Sequence, residues 1–87
     1  MAAPQITLAE LVDVLRSSGG DSAELTEGRE ILDTDFTELG YDSVALLETA
    51  GEIERRWSVL LPEEAIVEAR TPRLWLDQVN RSLADRA

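Results

Sequence analysis

One serine of this chain stands where a side chain could carry a chemical group. Ser43 follows Asp42, after Gly40 and Tyr41, and opens a segment with helical periodicity. An aspartate at this position predicts a helix N-cap, which places the serine in the first turn of the helix. The unpaired N–H groups and the positive end of the helix dipole favour a phosphate attached there. The position therefore suits a solvent-facing hydroxyl that bears a group.

The groups that would make this serine a nucleophile are missing from the sequence. An activated serine needs an adjacent base and an oxyanion hole, yet the chain contains no histidine, lysine or cysteine. Residues 40–44 also lack the second glycine of a nucleophile elbow. The same absences remove the imidazole and thiolate ligands of most zinc sites. We therefore predict no catalytic residue and no metal site.

Two interpretations of Ser43 remain open on residue type alone. It is either an ordinary serine at a helix start, which is common in helical proteins, or a site that an enzyme from another protein modifies. Composition by itself favours the ordinary serine. An exposed serine in an acidic domain without catalytic groups fits the modification site.

The net charge indicates which partners the chain can have. Eight arginines oppose eighteen aspartates and glutamates, which gives a formal net charge of −10. Nucleic-acid phosphates and anionic lipid would repel this surface, so the expected partners are basic protein surfaces. The alternative is an acidic surface that only aids solubility. Residues 1–5 lack a secretion signal and no apolar run has the length of a membrane span, so we expect a cytoplasmic protein.

Start signals and apolar periodicity divide the chain into four helices. Thr7 with Glu10 predicts a capping box, Asp42 caps the second helix, and Pro62 and Thr71 begin the last two. The predicted helices cover about residues 7–18, 43–57, 62–69 and 71–84. No segment alternates like a strand. We therefore predict one all-α domain over residues 1–87, a small four-helix bundle with three long helices, one short helix and a long first loop.

The long first loop, residues 19–42, carries most of the net charge. Its acidic residues are Asp21, Glu24, Glu27, Glu30, Asp33, Asp35, Glu38 and Asp42, opposed by Arg29. Loops of this length in a compact domain are often functional, and the plainer interpretation is a covering segment. Scattered apolar side chains are expected to pin the loop to the helices. A short turn of helix is predicted near residues 36–39.

The second helix is predicted to have a buried face and an exposed apolar patch. At 100° per residue, one stripe is assigned to the core, namely Leu46, Ala50, Ile53 and Trp57. Val44 and Leu47 are expected at or near the surface, beside Ser43 and Glu48, where they favour a docking patch. Gly51 is about 1 kcal/mol less favourable in mid-helix than alanine. It therefore indicates a close approach by a partner or by a neighbouring helix.

The whole pattern in register resembles the acyl carrier proteins. Residues 40–43 read Gly-Tyr-Asp-Ser, a helix bearing Glu48 follows, and Thr-Pro-Arg stands at 71–73. The likeness also includes the link at residues 59–64, the chain length and the acidic first loop, so it covers nearly the whole chain. The Gly-Tyr-Asp-Ser form, residues 45–50 and the Thr-Pro-Arg segment look most like carriers of type II aromatic polyketide synthases.

This resemblance implies a covalent 4′-phosphopantetheine arm on Ser43. A phosphopantetheinyl transferase would supply the arm from coenzyme A, and its thiol would carry malonyl and growing poly-β-ketone chains. The protein would be a monomeric, non-catalytic carrier that serves a ketosynthase with its chain-length factor, a malonyl transferase, a ketoreductase and cyclases. The predicted partner contacts are Asp42, Val44, Leu47, Glu48 and Glu54.

Other functions stay open on the sequence. Within the carriers, the chain could serve fatty acid synthesis or another thiotemplate pathway. From a different class comes an unmodified acidic helical adaptor, and a small hydrolase is a further alternative that needs groups the sequence lacks. A carrier of this kind is also expected to shelter its chain between helices, in room left near Ala50 and Gly51.

Overall fold

The computed structural model of the protein has four helices among the residues that it describes. The structure describes residues 5–20, 22, 25 and 31–86, with side chains described as far as residue 85. The helices are α1 (Leu8–Ser18), α2 (Ser43–Trp57), α3 (Glu63–Glu68) and α4 (Pro72–Arg86). Over these described ranges there is no strand. The predicted all-α class with three long helices and one short helix is confirmed, and each helix begins and ends within two residues of its predicted bounds.

The helix starts follow from local hydrogen bonds. The Thr7 hydroxyl accepts from the Glu10 N–H at 3.2 Å, and the Thr7 N–H donates to Glu10 Oε1 at 2.9 Å. This reciprocal pair is the predicted capping box. Thr71 Oγ1 accepts from the Leu74 N–H at 3.3 Å at the start of α4. Pro62 is the N-cap of α3 and forms no side-chain cap, so α3 begins one residue later than predicted.

The core lies between the helices and includes side chains from the first loop. On α2 the predicted stripe is buried except for Trp57, which packs against the core and is partly exposed. The first loop contributes buried Leu25, Ile31, Phe36 and Leu39. The rings of Phe36 and Trp75 meet edge to face, with centroids 5.4 Å apart. Thr49 is buried too, which the pattern did not predict, and its hydroxyl donates to the Ala45 carbonyl at 2.8 Å.

The end of the first loop is fastened to the junction of α3 and α4. The Phe36 N–H donates to the Arg70 carbonyl at 2.8 Å, and the Arg73 N–H donates to the Leu32 carbonyl at 2.9 Å. The Arg73 guanidinium also binds both carboxylate oxygens of Asp33, at 2.7 and 3.1 Å. This part of the loop therefore joins the start of α2 to the junction of α3 and α4, and does not merely cover the core. The predicted acids Asp21, Glu24, Glu27 and Glu30, with Arg29, lie outside the described residues.

Candidate functional site

A tight reversal of the chain delivers the backbone to the start of α2. The Tyr41 N–H donates to the Phe36 carbonyl at 2.9 Å, and the Gly40 N–H donates to the Thr37 carbonyl at 3.1 Å. This pair of bonds, with Gly40 at φ +88°, is a Schellman motif. Residues 36–40 thus form a run of hydrogen-bonded turns, in which the Leu39 N–H donates to the Asp35 carbonyl at 3.2 Å, as in a single turn of helix. The motif sets the direction in which the chain enters α2.

Gly40 and Tyr41 hold this reversal in place. A Cβ on Gly40 would lie 3.1 Å from Ser22 Oγ, and its positive φ already disfavours other residues. The Tyr41 side chain is buried, and its hydroxyl donates to the Gly20 carbonyl at 2.7 Å. Sequence reasoning used these two residues only as part of a family pattern. A glycine after a short turn, followed by a buried aromatic residue, is the local signal for their structural role.

Asp42 and Ser43 occupy the predicted positions at the start of α2. Asp42 Oδ1 accepts from the Ala45 N–H at 2.9 Å, which confirms the N-cap. Ser43 is the first residue of α2 and is exposed. Within the described part of the chain, no hydrogen bond engages its hydroxyl. The hydroxyl therefore faces solvent at the positive end of the helix dipole, where a phosphate would be stabilised.

A groove of about 370 Å³ opens beside the serine. It lies between the first-loop turn, the start of α2 and the end of α3. Its lining consists of Asp35, Phe36, Thr37, Tyr41, Ser43, Leu46, Val67, Ala69 and Arg70. The volume falls within the range of roughly 300–1,000 Å³ of pockets that hold small molecules. The lining mixes apolar side chains with one cationic, one anionic and several hydroxyl groups, so it can hold a chain that is both apolar and polar.

Asp35 brings a fixed negative charge to this groove. Its Oδ1 accepts from the Thr37 N–H at 2.9 Å and from the Thr37 hydroxyl at 2.8 Å. These hydrogen bonds, chiefly the one from the backbone, lower the pKa of Asp35 below its ordinary value, and the nearby charge of Arg70 contributes to the same shift. Asp35 is therefore ionised near neutral pH.

Four of the five predicted partner contacts lie together on the outer face of α2. Val44 is 63% exposed and Leu47 38% exposed, and the side chains of Asp42 and Glu48 are exposed as well. Two apolar side chains thus lie beside two carboxylates and next to Ser43. The arrangement offers both shape and negative charge to a partner. We call Asp42, Val44, Leu47 and Glu48 the outer patch.

The fifth predicted contact, Glu54, is engaged within the fold, and its contact with a partner stays a prediction. Its Oε2 accepts from the Leu61 N–H at 2.8 Å, and its backbone carbonyl accepts from the Val59 N–H at 3.2 Å. The carboxylate is half-buried and holds the link between α2 and α3. Glu52 is likewise engaged, because Arg55 and Arg56 donate to it at 2.7 and 2.8 Å and lower its pKa. The irregular link that Glu54 fastens has no signal in the sequence.

Gly51 does not mark the approach of a neighbouring helix. A Cβ built on it would meet only Arg55 Nη1, at 3.7 Å. The space at Gly51 therefore opens outward, into a depression that also borders Ser18, Leu47 and Glu48. The shelter predicted between helices near Ala50 and Gly51 would require the helices to part around a carried chain, and it stays a prediction. The remaining explanation from the sequence, contact with a partner, stays a hypothesis.

The described residues include no group of three or more acidic, histidine or cysteine side chains that could hold a metal ion. Among the helices described, none combines the length and apolar character that crossing a membrane requires.

The sequence matches a family described as the phosphopantetheine attachment site, over residues 24–79. The acyl carrier protein of the oxytetracycline polyketide synthase of Streptomyces rimosus is 41% identical over 78 residues, which cover 90% of this chain and 82% of that protein. The carrier of the tetracenomycin polyketide synthase of Streptomyces glaucescens is 42% identical over 81 residues, 93% of this chain and 94% of that one.

Solved structures of similar sequence share the fold. The solution structure of 3,5-dioxohexyl acyl carrier protein, a triketide mimic from the actinorhodin polyketide synthase of Streptomyces coelicolor, superposes with a TM-score of 0.86. It is 36% identical, and the match covers 99% of this chain and 100% of that one. The actinorhodin holo acyl carrier protein gives a TM-score of 0.83 at the same identity and the same coverage.

Proposed function

This chain belongs to the acyl carrier proteins of type II polyketide synthases, and on that premise we propose that Ser43 bears its phosphopantetheine arm. Members of the family carry acyl chains on this covalently attached group. The observation that supports Ser43 is its place as the exposed first residue of α2, directly after the Asp42 cap. Ser43 also lies inside the segment that matches the attachment-site family.

Loading the arm is a phosphoryl transfer from coenzyme A. The Ser43 oxygen attacks the phosphorus that bears pantetheine, an O–P bond forms, and the diphosphate bond breaks to release adenosine 3′,5′-bisphosphate. The proton of the hydroxyl goes to a base of the transferase. The chain has no histidine or lysine to accept it, and Asp42 Oδ1 is occupied by the Ala45 N–H. The carrier therefore contributes the position of the hydroxyl and the positive field of the helix N-terminus, and we propose that it has no catalytic role.

Mass spectrometry tests the attachment site. Incubation with coenzyme A and a broadly specific phosphopantetheinyl transferase should add the mass of one phosphopantetheine to the wild-type protein. Ser43→Ala should gain nothing. Ser17→Ala, which removes another exposed serine, should load like the wild type. A mass gain in Ser43→Ala, or none in the wild type with several active transferases, would contradict the proposal.

We further propose that the outer patch docks the enzymes of the synthase. These are the transferase, the ketosynthase with its chain-length factor, the malonyl transferase, the ketoreductase and the cyclases, all meeting the carrier in the cytoplasm. The support is the exposure of Val44 and Leu47 beside the carboxylates of Asp42 and Glu48. Charges at the rim of an interface mainly raise the association rate. A monomeric carrier that visits many enzymes needs fast association and fast release.

A matched pair of charge changes tests this docking surface. Glu48→Gln should slow arm loading and acyl transfer at low salt, and the deficit should shrink at high salt because screening removes the attraction. Asp77→Asn makes the same charge change at an exposed position of α4 and should leave both rates unchanged. Equal rates for wild type and Glu48→Gln at low salt would remove Glu48 from the docking surface.

The alternatives to a polyketide carrier make different predictions. A carrier of fatty acid or other thiotemplate synthesis would load at Ser43 too, but would serve other ketosynthases. An unmodified acidic adaptor would keep its binding and its activity in Ser43→Ala. The relatives from the oxytetracycline and tetracenomycin synthases favour the polyketide pathway.

A further inference from the structure

We propose that Arg70 is the counter-ion of the arm's phosphodiester and holds the first part of the arm in the groove beside Ser43. This inference rests on the proposed attachment of the arm to Ser43. Both residues line the same groove of about 370 Å³. In the loaded protein the phosphorus is bonded directly to the Ser43 oxygen, so one negative charge sits at the edge of this groove whatever acyl chain is carried.

The backbone of Arg70 is held at the edge of the groove. Arg70 follows Ala69, the C-cap of α3, and its carbonyl accepts from the Phe36 N–H at 2.8 Å. This bond ties the link between α3 and α4 to the turn that leads into α2. The guanidinium is therefore presented from a fixed point, while its long side chain can still adjust to a ligand.

The charge of Arg70 is available to a ligand. Three guanidinium groups on the helices are engaged by carboxylates, namely those of Arg55, Arg56 and Arg73. Over the residues that the structure describes, the Arg70 side chain has neither a hydrogen bond nor an ion pair. A planar guanidinium with several N–H donors suits the oxygens of a phosphodiester. The first turn of α2 and Arg70 thus offer positive charge to the same anion.

Asp35 competes with the phosphodiester for this cation. It lines the same groove, and the attraction between Arg70 and Asp35 contributes to the acidity of that carboxyl. Its carboxylate is held by Thr37, so it stays in place as a second negative charge. Removing Arg70 should therefore weaken the arm's position, and neutralising Asp35 should strengthen it. Opposite effects of the two changes separate this pairing from a general loss of packing.

Melting of the unloaded and loaded proteins tests the pairing as a thermodynamic cycle. The change in melting temperature on loading should be less favourable in Arg70→Gln than in the wild type. The difference between the two changes should be about 1–5 °C at low salt. In Asp35→Asn the change in melting temperature on loading should be more favourable than in the wild type, because the competing negative charge is gone. The asparagine was chosen because its amide oxygen can still accept from the Thr37 N–H. Arg81→Gln, an exposed change on α4, serves as the control and should match the wild type. The difference for Arg70→Gln should fade at about 1 M salt, where the screening length is about 3 Å.

The phosphorus resonance of the loaded protein gives a direct second readout. Its chemical shift should differ between wild type and Arg70→Gln and stay unchanged in Arg81→Gln. Equal effects of loading on the melting of wild type and Arg70→Gln, with an unmoved phosphorus resonance, would overturn the proposal. A difference that arises only with a malonyl-loaded arm would overturn it too, because Arg70 would then bind the malonyl carboxylate. The intact mass is recorded first, so a protein that never loads refutes attachment at Ser43, not the role of Arg70.

Discussion

The two ends of α2 use their acidic side chains for different purposes. At the N-terminal end, Glu48 is exposed beside Ser43, and only Asp42 is engaged, as the helix cap. Toward the C-terminal end, Glu52 binds two arginines, and Glu54 accepts from the backbone of Leu61. The exposed carboxylates thus lie near Ser43, whereas those toward the C-terminal end are less exposed and are held by other groups of the fold. Total charge alone identifies a kind of partner but not a docking surface.

Removal of the Glu54 carboxylate, toward the C-terminal end of α2, should have the largest effect on stability. Glu54→Ala leaves the part-buried Leu61 N–H without its acceptor, and should lower the free energy of unfolding by about 1–3 kcal/mol. Denaturant titration measures the change. Glu54→Gln keeps an oxygen as acceptor and should lose less. If Glu54→Ala were as stable as the wild type, the two ends of α2 would not differ in this way.

Two glycine changes sharpen the contrast between the turn before α2 and its outer face. Gly40→Ala places a side chain at φ +88°, 3.1 Å from Ser22 Oγ, and should destabilise the protein by about 1–2 kcal/mol. Gly51→Ala enters open space on a helix and should stabilise it by about 0.5–1 kcal/mol. The same titration measures both changes, and a loss of stability in Gly51→Ala would contradict the open space. Slower acyl transfer by a stabilised Gly51→Ala would indicate that a partner uses the depression.

Asp42 combines a structural bond with a place in the outer patch, and two substitutions separate these roles. Asp42→Ala removes the cap to the Ala45 N–H and should destabilise the protein by about 1 kcal/mol. Asp42→Asn keeps an oxygen that can cap, so the stability should be nearly unchanged while the charge is lost. Thermal melting and the arm-loading rate are measured on both variants. Loading by Asp42→Asn at the wild-type rate and salt dependence would assign Asp42 to the cap alone.

The smallest effect concerns the ion pairs of Glu52. Hydrogen bonds from Arg55 and Arg56 lower the pKa of this carboxyl in the folded state below its ordinary value of 4.5. The folded protein therefore binds fewer protons here than the unfolded chain. The stabilisation is present above about pH 4.5 and is lost as the pH falls through the lower folded-state pKa. Glu52→Gln should flatten this acid-side loss slightly, as urea titrations at several pH values would show, and an identical slope would contradict the pairing.

Local features of the fold could be predicted from the sequence. The cap of Thr7 with Glu10, the cap of Asp42 and the start at Thr71 each join groups three residues apart, so their spacing alone indicates the bond. The exposure of Ser43 follows from its place after the cap, and the buried stripe of α2 follows from its period. These are interactions within one turn of backbone, which the side-chain types encode directly.

Three features of the site could not be predicted in the same way. The acceptor role of Glu54 was not predicted, because it depends on Leu61, seven residues away in an irregular link. For Gly51 the sequence left a partner or a neighbouring helix open, and the packing excludes only the helix. No pattern in the sequence indicates Arg70, since its place beside Ser43 depends on how the end of α3 meets the first loop.

The four helices, their caps and the serine at the start of α2 can be predicted from the sequence alone, because each depends on hydrogen bonds and periods a few residues long. Which charged side chains form ion pairs within the fold depends on the tertiary structure. Arg73 reaches Asp33 across 40 positions of the chain, whereas Arg70, three residues earlier, lies beside the groove without an ion pair to any described residue. Pairing over such separations depends on how helices and loop pack, and no local spacing records it.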